Sequence, residues 1–236
     1  MWRRLLLIAI LAAVAAAGVS AQRGRSRRAP LDVEVQGNTP YDGRFVFVRL
    51  KYTPTFGRWG SWIGDGGVPW SHDYPDGEVH LSKILEELTL LRPRTDGSNI
   101  LAIDDPELFN YPVAYMAEPG HWGVTPSEAA ALRQYLLKGG FLIFDDFRAY
   151  DWDTLQEQMR IVLPEARWQL LDGTARVFHA FFEIPDPGTL VPPYGGEPPS
   201  YWGLFEQNDP RRRLMAIANV NNDISEYWQY SDTGLA

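Results

Sequence analysis

The stretch Gly139-Gly140-Phe141-Leu142-Ile143-Phe144-Asp145-Asp146 decides the fold class of this chain. Paired glycines commonly end a helix, and the apolar run that follows is typical of a strand covered on both faces. Two carboxylates come directly after the strand. Ligands of open parallel sheets bind beyond the carboxyl ends of the strands. The stretch therefore predicts an α/β sheet whose central strand ends at a functional edge carrying Asp145 and Asp146.

Strand and helix patterns alternate on both sides of this stretch. Apolar patterning predicts strands over 45–50, 99–103, 111–116 and 214–218, and helices over 76–91, 125–138 and 152–162. Thr125-Pro126-Ser127-Glu128 has the residues of a capping box, which marks a helix start. This order implies right-handed crossovers and a mostly parallel sheet with helices on both faces. We expect a three-layer α/β domain.

The N-terminus has the pattern of a secretory signal. Arg3 and Arg4 precede an apolar run over 5–17, and Val19-Ser20-Ala21 suits a cleavage site. The run is shorter than the roughly 20 residues that span a bilayer. We expect a signal peptide over 1–21, a basic flexible tether over 22–42, and a single α/β domain over 43–236. The protein would be exported to the periplasm or cell envelope, with an uncleaved signal anchor as the alternative and the sole membrane attachment.

Composition excludes several classes of function. The chain has no cysteine, which excludes disulfides, thiolate metal sites and a cysteine nucleophile. Its net charge is -8, and removal of Arg3 and Arg4 would make it -8 - 2 = -10. Because an acidic surface repels phosphates, no nucleic-acid partner is expected. The expected partner is an envelope protein or a polar small ligand.

Polar residues at the predicted strand ends define a candidate ligand-binding crevice, to which no catalytic residue is assigned. Paired carboxylates raise one another's pKa and attract hard cations. Adjacent strand residues face opposite sides, so we expect one of Asp145 and Asp146 to enter the crevice and the other to cap a helix or bond to loop amides. His179 is either a crevice residue or a satisfied core histidine. The candidate residues are Asp73, Tyr74, Tyr115, Asp145, Asp146, His179, Asn222 and Asp223.

Motifs for metal, phosphate or serine chemistry are absent from the sequence. The four histidines have no metal-binding spacing, so no cofactor and no dedicated metal site are expected. Gly64 to Gly67 lacks the lysine of a phosphate loop, and no G-x-S-x-G elbow occurs. The histidines are His72, His80, His121 and His179.

Aromatic residues cluster in the predicted loops, and two interpretations of them stay open. Aromatic faces beside carboxylates and amides are typical of sugar-binding surfaces. The same rings can instead fill the rim of the sheet as part of the core. The residues concerned are Trp59, Trp62, Trp70, Tyr194, Tyr201, Trp202, Tyr227 and Trp228.

Taken together, these segments resemble a bacterial family called domain of unknown function 4159. The matching stretches are Phe45 to Tyr52, Asp73-Tyr74-Pro75, Asp105 to Phe109, Tyr111-Pro112 with Tyr115-Met116, Leu132 to Asp146, Phe178 to Phe182 and Arg213 to Trp228. The resemblance implies a class I glutamine amidotransferase-like, flavodoxin-like fold and a setting in the bacterial envelope. It implies no established activity.

Three departures from related patterns matter. The amidotransferases carry a nucleophilic cysteine after the central strand, where this chain has Asp145-Asp146. Relatives tend to carry a His-Pro pair where this chain has Ala175-Arg176, and they continue beyond the position of Ala236, so a truncated C-terminus is expected.

Three functions stay open on this basis. The leading hypothesis is a non-catalytic binding or interaction module. The alternative is a glycan-directed hydrolase with Asp145 or Asp146 as general base, with or without a bound divalent cation. The third is a purely structural module.

Overall fold

A computed structural model describes residues 35–55, 68–193 and 195–232. The predicted signal peptide, most of the predicted tether, Trp59, Trp62, Tyr194 and the last four residues lie outside the described residues. Among the helices described, none combines the length and apolar character needed to cross a bilayer.

The described chain forms a seven-stranded sheet in the order β2-β1-β3-β4-β7-β6-β5. The first five strands in this order, β2, β1, β3, β4 and β7, pair in parallel. The last two pair antiparallel, β6 with β7 and β5 with β6. The prediction of a mostly parallel α/β sheet with β4 at its centre is confirmed. The strands are β1 Val48–Lys51, β2 Asn99–Ala102, β3 Val113–Ala117, β4 Phe141–Phe147, β5 Gln169–Leu170, β6 Ser200–Phe205 and β7 Leu214–Val220.

The helices that flank the sheet are α1 Asp76–Leu88, α2 Pro126–Leu137, α3 Trp152–Val162 and α4 Ile224–Gln229. The capping box of α2 is confirmed, because Thr125 N donates to Glu128 Oε2 at 2.8 Å and Glu128 N donates to Thr125 Oγ1 at 3.3 Å. The predicted end of α1 at residue 91 is wrong: the chain turns extended at Thr89 and leaves Leu90 fully exposed.

Helices cover both faces of the sheet. On one face, Phe47 and Tyr115 pack with Leu81 of α1 and Trp228 of α4. On the other face, the Phe144 ring lies 6.1 Å from the ring of Trp168. Trp168 in turn lies 5.3 Å from Trp152, the first residue of α3. The two faces of β4 are therefore buried under different helices.

The described aromatic residues contribute mainly to the core. Trp70 and Tyr201 are buried, and Trp228 packs against Phe47 and Tyr115. For the described part of the chain, this packing favours aromatic filling of the rim over an open sugar-binding platform.

Candidate functional site

Five carboxylates and one histidine meet at the carboxyl edge of the sheet, and we call this group the acidic crevice. Three of the carboxylates have backbones in the left-handed region, with φ of 60° at Asp73, 45° at Glu118 and 56° at Asp146. Such conformations are uncommon outside glycine and tend to occur at functional sites. The members of the acidic crevice are His72, Asp73, Glu118, Asp145, Asp146 and Asp223.

Asp145 is the structural member of the pair that ends β4. Its side chain is fully buried, and burial together with the charge of Asp146 raises its pKa to about 6. The backbone amides that it binds belong to the first turn of α4, so Asp145 holds this helix to the sheet and takes the amide-binding role expected for one of the two aspartates. Its donors are Asn219 Nδ2 at 3.1 Å, Tyr115 OH at 3.1 Å, Ile224 N at 2.8 Å and Ser225 N at 3.1 Å.

Asp146 faces the crevice because the strand is irregular at this point. The pairing of β4 with β7 shifts between Phe144 and Phe147, and the left-handed turn at Asp146 directs its carboxylate to Nδ1 of His72. A bulge of this kind re-aims a side chain at the end of a strand. The carboxylates of Asp145 and Asp146, although adjacent in sequence, therefore lie in different surroundings: Asp145 in the core and Asp146 in the crevice.

The outer part of the crevice consists of His72, Glu118 and Asp146. Nδ1 of His72 bonds to Asp146 and lies 3.8 Å from Glu118 Oε1. The hydrogen bond with Asp146 raises the pKa of His72 to about 10. Burial, reinforced by the charge of Asp146, raises the pKa of Glu118 to about 8. Because these side chains are 26%, 13% and 10% exposed for His72, Glu118 and Asp146, a ligand from solvent can reach them.

The inner part of the crevice is a buried network around Ser225. Its hydroxyl donates to Asp73 Oδ2 at 2.5 Å and lies 3.0 Å from Asp223 Oδ1 and 2.8 Å from the Tyr115 hydroxyl oxygen. Burial and the charges of Asp146, Asp145 and Asp73 raise the pKa of Asp223 to about 9. The second oxygen of Asp223, Oδ2, is buried without a hydrogen-bond partner among the described residues.

Two buried residues, one in β1 and one directly after it, form hydrogen bonds to the backbone carbonyls of His72 and Glu118. Arg49 is fully buried in an ion pair with Glu78 of α1 and donates from Nη1 to the His72 carbonyl at 2.8 Å. The Tyr52 hydroxyl lies 2.7 Å from the Glu118 carbonyl. The positions of His72 and Glu118 are therefore set by core residues beneath them.

The structure brings five of the eight candidate residues together and separates three. Asp73, Tyr115, Asp145, Asp146 and Asp223 form one connected group. In the described chain, the hydrogen bonds of the remaining three lead elsewhere: Gln36 N donates to Tyr74 OH at 3.0 Å, Asn222 Nδ2 donates to Tyr201 OH at 3.1 Å, and His179 pairs with Glu183 and the Gly173 carbonyl.

His179 is exposed on the surface, so the interpretation of this residue as a core histidine is wrong. Its neighbours in sequence had suggested burial, but only Phe178 of that segment points inward, while Phe181 and Phe182 are largely exposed.

Sequence reasoning missed His72, Glu118 and Ser225. Glu118 carried a usable signal, because it directly follows a predicted strand, and His72 adjoins the Asp73-Tyr74-Pro75 stretch. Glu118 follows the end of β3, His72 lies just before α1 and Ser225 lies in the first turn of α4, so no local spacing reveals the group.

The family model for a domain of unknown function, DUF4159, matches residues 46–236, which include every member of the acidic crevice. The chain belongs to the DUF4159 family. The resemblance inferred from sequence is confirmed at the level of the family, whose description assigns no activity. A comparison of the DUF4159 domain with curated proteins found no match.

Proposed function

We propose that this DUF4159 domain is an exported binding module of the bacterial cell envelope that recognises a positively charged ligand at the acidic crevice. Its scaffold would be of the class I glutamine amidotransferase type. The observation that supports this most directly is the convergence of His72, Glu118 and Asp146 at the solvent-facing end of the crevice.

Charge balance gives the physical reason. Five carboxylates share the crevice with one imidazole, and the buried Arg49 beneath them is already paired with Glu78. Like charges at this separation oppose one another's ionisation, as the raised pKa values of Glu118 and Asp223 indicate. A cationic ligand reduces this repulsion. The charge can come from a metal ion or from an ammonium or guanidinium group of a small molecule or protein partner.

A thermal-shift experiment tests the proposal. The purified protein is screened against divalent cations, spermine, lysine- and arginine-rich peptides and neutral envelope sugars. A ligand at 100 times its Kd stabilises the native state by about 2.7 kcal/mol. For a chain of this size, that corresponds to a rise in Tm of roughly 5–10 °C. We expect cationic ligands to raise the Tm and neutral sugars to leave it unchanged.

The matched variants are Asp146→Asn in the crevice and Glu183→Gln outside it, since both carboxylates pair with a histidine. Asp146→Asn is expected to remove the shift and Glu183→Gln to keep it. The absence of any shift with all cationic ligands would overturn the proposal.

A second candidate, a glycan-directed hydrolase, is favoured by the raised pKa of Glu118. A carboxyl group with a pKa of about 8 is largely protonated at neutral pH and can act as a general acid. Asp146 is the better general base of the β4 pair, because Asp145 is buried and fully hydrogen-bonded. This function requires turnover of envelope glycans that Glu118→Gln and Asp146→Asn each reduce at least a hundredfold. Failure to release products from polymeric and small glycans would exclude it.

A further inference from the structure

The imidazole of His72 lies between two sets of carboxylate oxygens. Nδ1 faces Asp146 and Glu118, whereas Nε2 lies 4.0 Å from Asp73 Oδ1. In each set, one donor atom from every residue lies within 4.8 Å of the others, and the second set includes Asp223. Two donors bound at about 2.0–2.2 Å to one tetrahedral metal ion lie about 3.3–3.6 Å apart. Side-chain movements of about 1 Å would therefore close either set around an ion.

An independent observation is the unsatisfied oxygen of Asp223. Oδ1 is used by Ser225 Oγ at 3.0 Å and by Glu226 N at 3.1 Å. Oδ2 has no hydrogen-bond partner in the described chain, although the residue is 0% exposed. A buried carboxylate oxygen without a partner is unfavourable, and a nearby cation would stabilise it. One donor atom of Asp223 lies within 4.8 Å of a ring nitrogen of His72, so an ion bound to His72 lies near this carboxyl group.

We infer that the acidic crevice is a divalent metal centre in which His72 Nδ1, Asp146 and Glu118 are the protein ligands. The inference rests on the proposed function and names the chemical class of its ligand. It departs from the expectation of no metal site, which was drawn from the spacing of the histidines in the sequence.

The outer set is the ligand set because the side chains of Glu118 and Asp146 are 13% and 10% exposed, whereas the Asp73 side chain is 3% exposed and Asp223 is 0% exposed. Three protein ligands on an accessible metal leave a coordination position for water or a ligand group. A metal-bound histidine usually donates its other N–H to a carboxylate, which fixes the orientation of the ring. Asp73 Oδ1 lies 4.0 Å from Nε2, longer than a hydrogen bond, and Asp73 is itself held by Ser225; in the proposed metal centre a small ring movement brings Nε2 to Asp73, which makes Asp73 the positioning residue for His72.

The donor set indicates which ions are preferred. One imidazole nitrogen with two carboxylates, and no thiolate in a chain without cysteine, suits Zn²⁺ or Mn²⁺. Mg²⁺ and Ca²⁺ prefer sites made entirely of oxygen. A bound dication would take the place of the proton that His72 Nδ1 shares with Asp146, so binding releases that proton to solvent.

Calorimetric titration of chelator-treated protein with Zn²⁺, Mn²⁺ and Mg²⁺ tests the inference. We expect one ion per chain, with Zn²⁺ bound at least tenfold more tightly than Mg²⁺. Glu118→Gln and Asp146→Asn should each weaken Zn²⁺ binding at least tenfold. Asp73→Asn should weaken it tenfold to a hundredfold without changing the stoichiometry, as expected for a carboxylate that orients a metal-bound histidine.

The control is His179→Gln, which removes a surface histidine that also pairs with a carboxylate; its Zn²⁺ affinity should equal that of the unchanged protein. If Asp146→Asn fails to fold, the Zn²⁺ affinity of Glu118→Gln, a substitution at a partly exposed position, decides the test. Binding that is unchanged in both outer variants, or lost only in Asp223→Asn, would overturn the ligand assignment. If spermine or a cationic peptide raises the Tm but neither Zn²⁺ nor Mn²⁺ binds, the metal centre is excluded and the proposed function stands. If no cationic ligand binds, the metal centre and the proposed function are both excluded.

Discussion

The carboxylate of Asp146 bonds to Nδ1 of His72, 74 residues earlier in the chain, while the carboxylate of its neighbour Asp145 binds the amides at the start of α4. One residue of the pair therefore belongs to the exposed edge of the acidic crevice and the other to its framework. Substitutions at the two positions should have different consequences.

Replacing Asp145 with alanine should lower the free energy of unfolding by about 3 kcal/mol or more. The change leaves two backbone N–H groups, Asn219 and Tyr115 without their acceptor, and each unsatisfied buried group costs about 1–3 kcal/mol. Asp146→Ala should change stability by less than about 1 kcal/mol, because loss of the bond to His72 is offset by relief of carboxylate repulsion. Urea unfolding of both variants measures the difference; equal losses would contradict this division of roles.

Replacing only one partner of the buried Arg49–Glu78 ion pair should lower the free energy of unfolding more than replacing both partners together. Arg49→Met should destabilise the domain by about 3–5 kcal/mol, since it leaves Glu78 buried without its counter-charge. The double variant Arg49→Met with Glu78→Leu should recover much of this loss. Because Arg49 also binds the His72 carbonyl, the double variant should fold and yet respond less to ligands of the crevice. A double variant as unstable as the single one would argue against the charge explanation.

Tyr52→Phe tests the backbone support of Glu118 without touching a carboxylate. Loss of the hydroxyl that contacts the Ala117 and Glu118 carbonyls should cost about 1–2 kcal/mol. The ligand-induced rise in Tm should shrink as well, because Glu118 loses its fixed position. Thr125→Ala is the remote control: loss of the α2 cap should cost about 1 kcal/mol and leave the ligand response intact. Equal ligand responses in the two variants would show that Tyr52 has no role at the site.

Stability without added cations should fall as the pH rises from about 5 to 9. The folded-state pKa values of Asp145, Glu118 and Asp223, about 6, 8 and 9, lie above the ordinary values of 3.8 and 4.5. Over this range the folded state keeps protons that the unfolded state releases, so raising the pH favours unfolding. His72 acts in the same direction, because its raised pKa of about 10 gives stability that is complete below pH 6.5 and lost as the pH approaches 10.

Melting temperatures measured between pH 5 and 9 check this dependence. Asp223→Asn should flatten the curve, since it removes the carboxyl group with the largest of these three increases in pKa. A Tm that rises with pH over this range would contradict the assignment of the raised pKa values to burial and mutual repulsion.

Several elements of the fold could be predicted because their signals are local. The capping box at Thr125, the glycines after α2 and the apolar run of β4 each depend on residues a few positions apart. The antiparallel strands β5 and β6 were missed. The first has two residues and the second follows a proline-rich stretch, so neither has a clear alternating pattern before it pairs.

The sequence by itself determined the α/β class, the central place of β4 and the location of Asp145 and Asp146 at a strand end, because residue periodicity and chain order dictate these features. Only the tertiary structure decided that His72 meets Asp146, that Glu118 joins them and that Asp145 is buried. These contacts depend on three left-handed turns and on strand ends that are adjacent in the sheet but distant in the chain. No local pattern carries that information, since it arises when the sheet assembles and the core beneath fixes the His72 and Glu118 backbones.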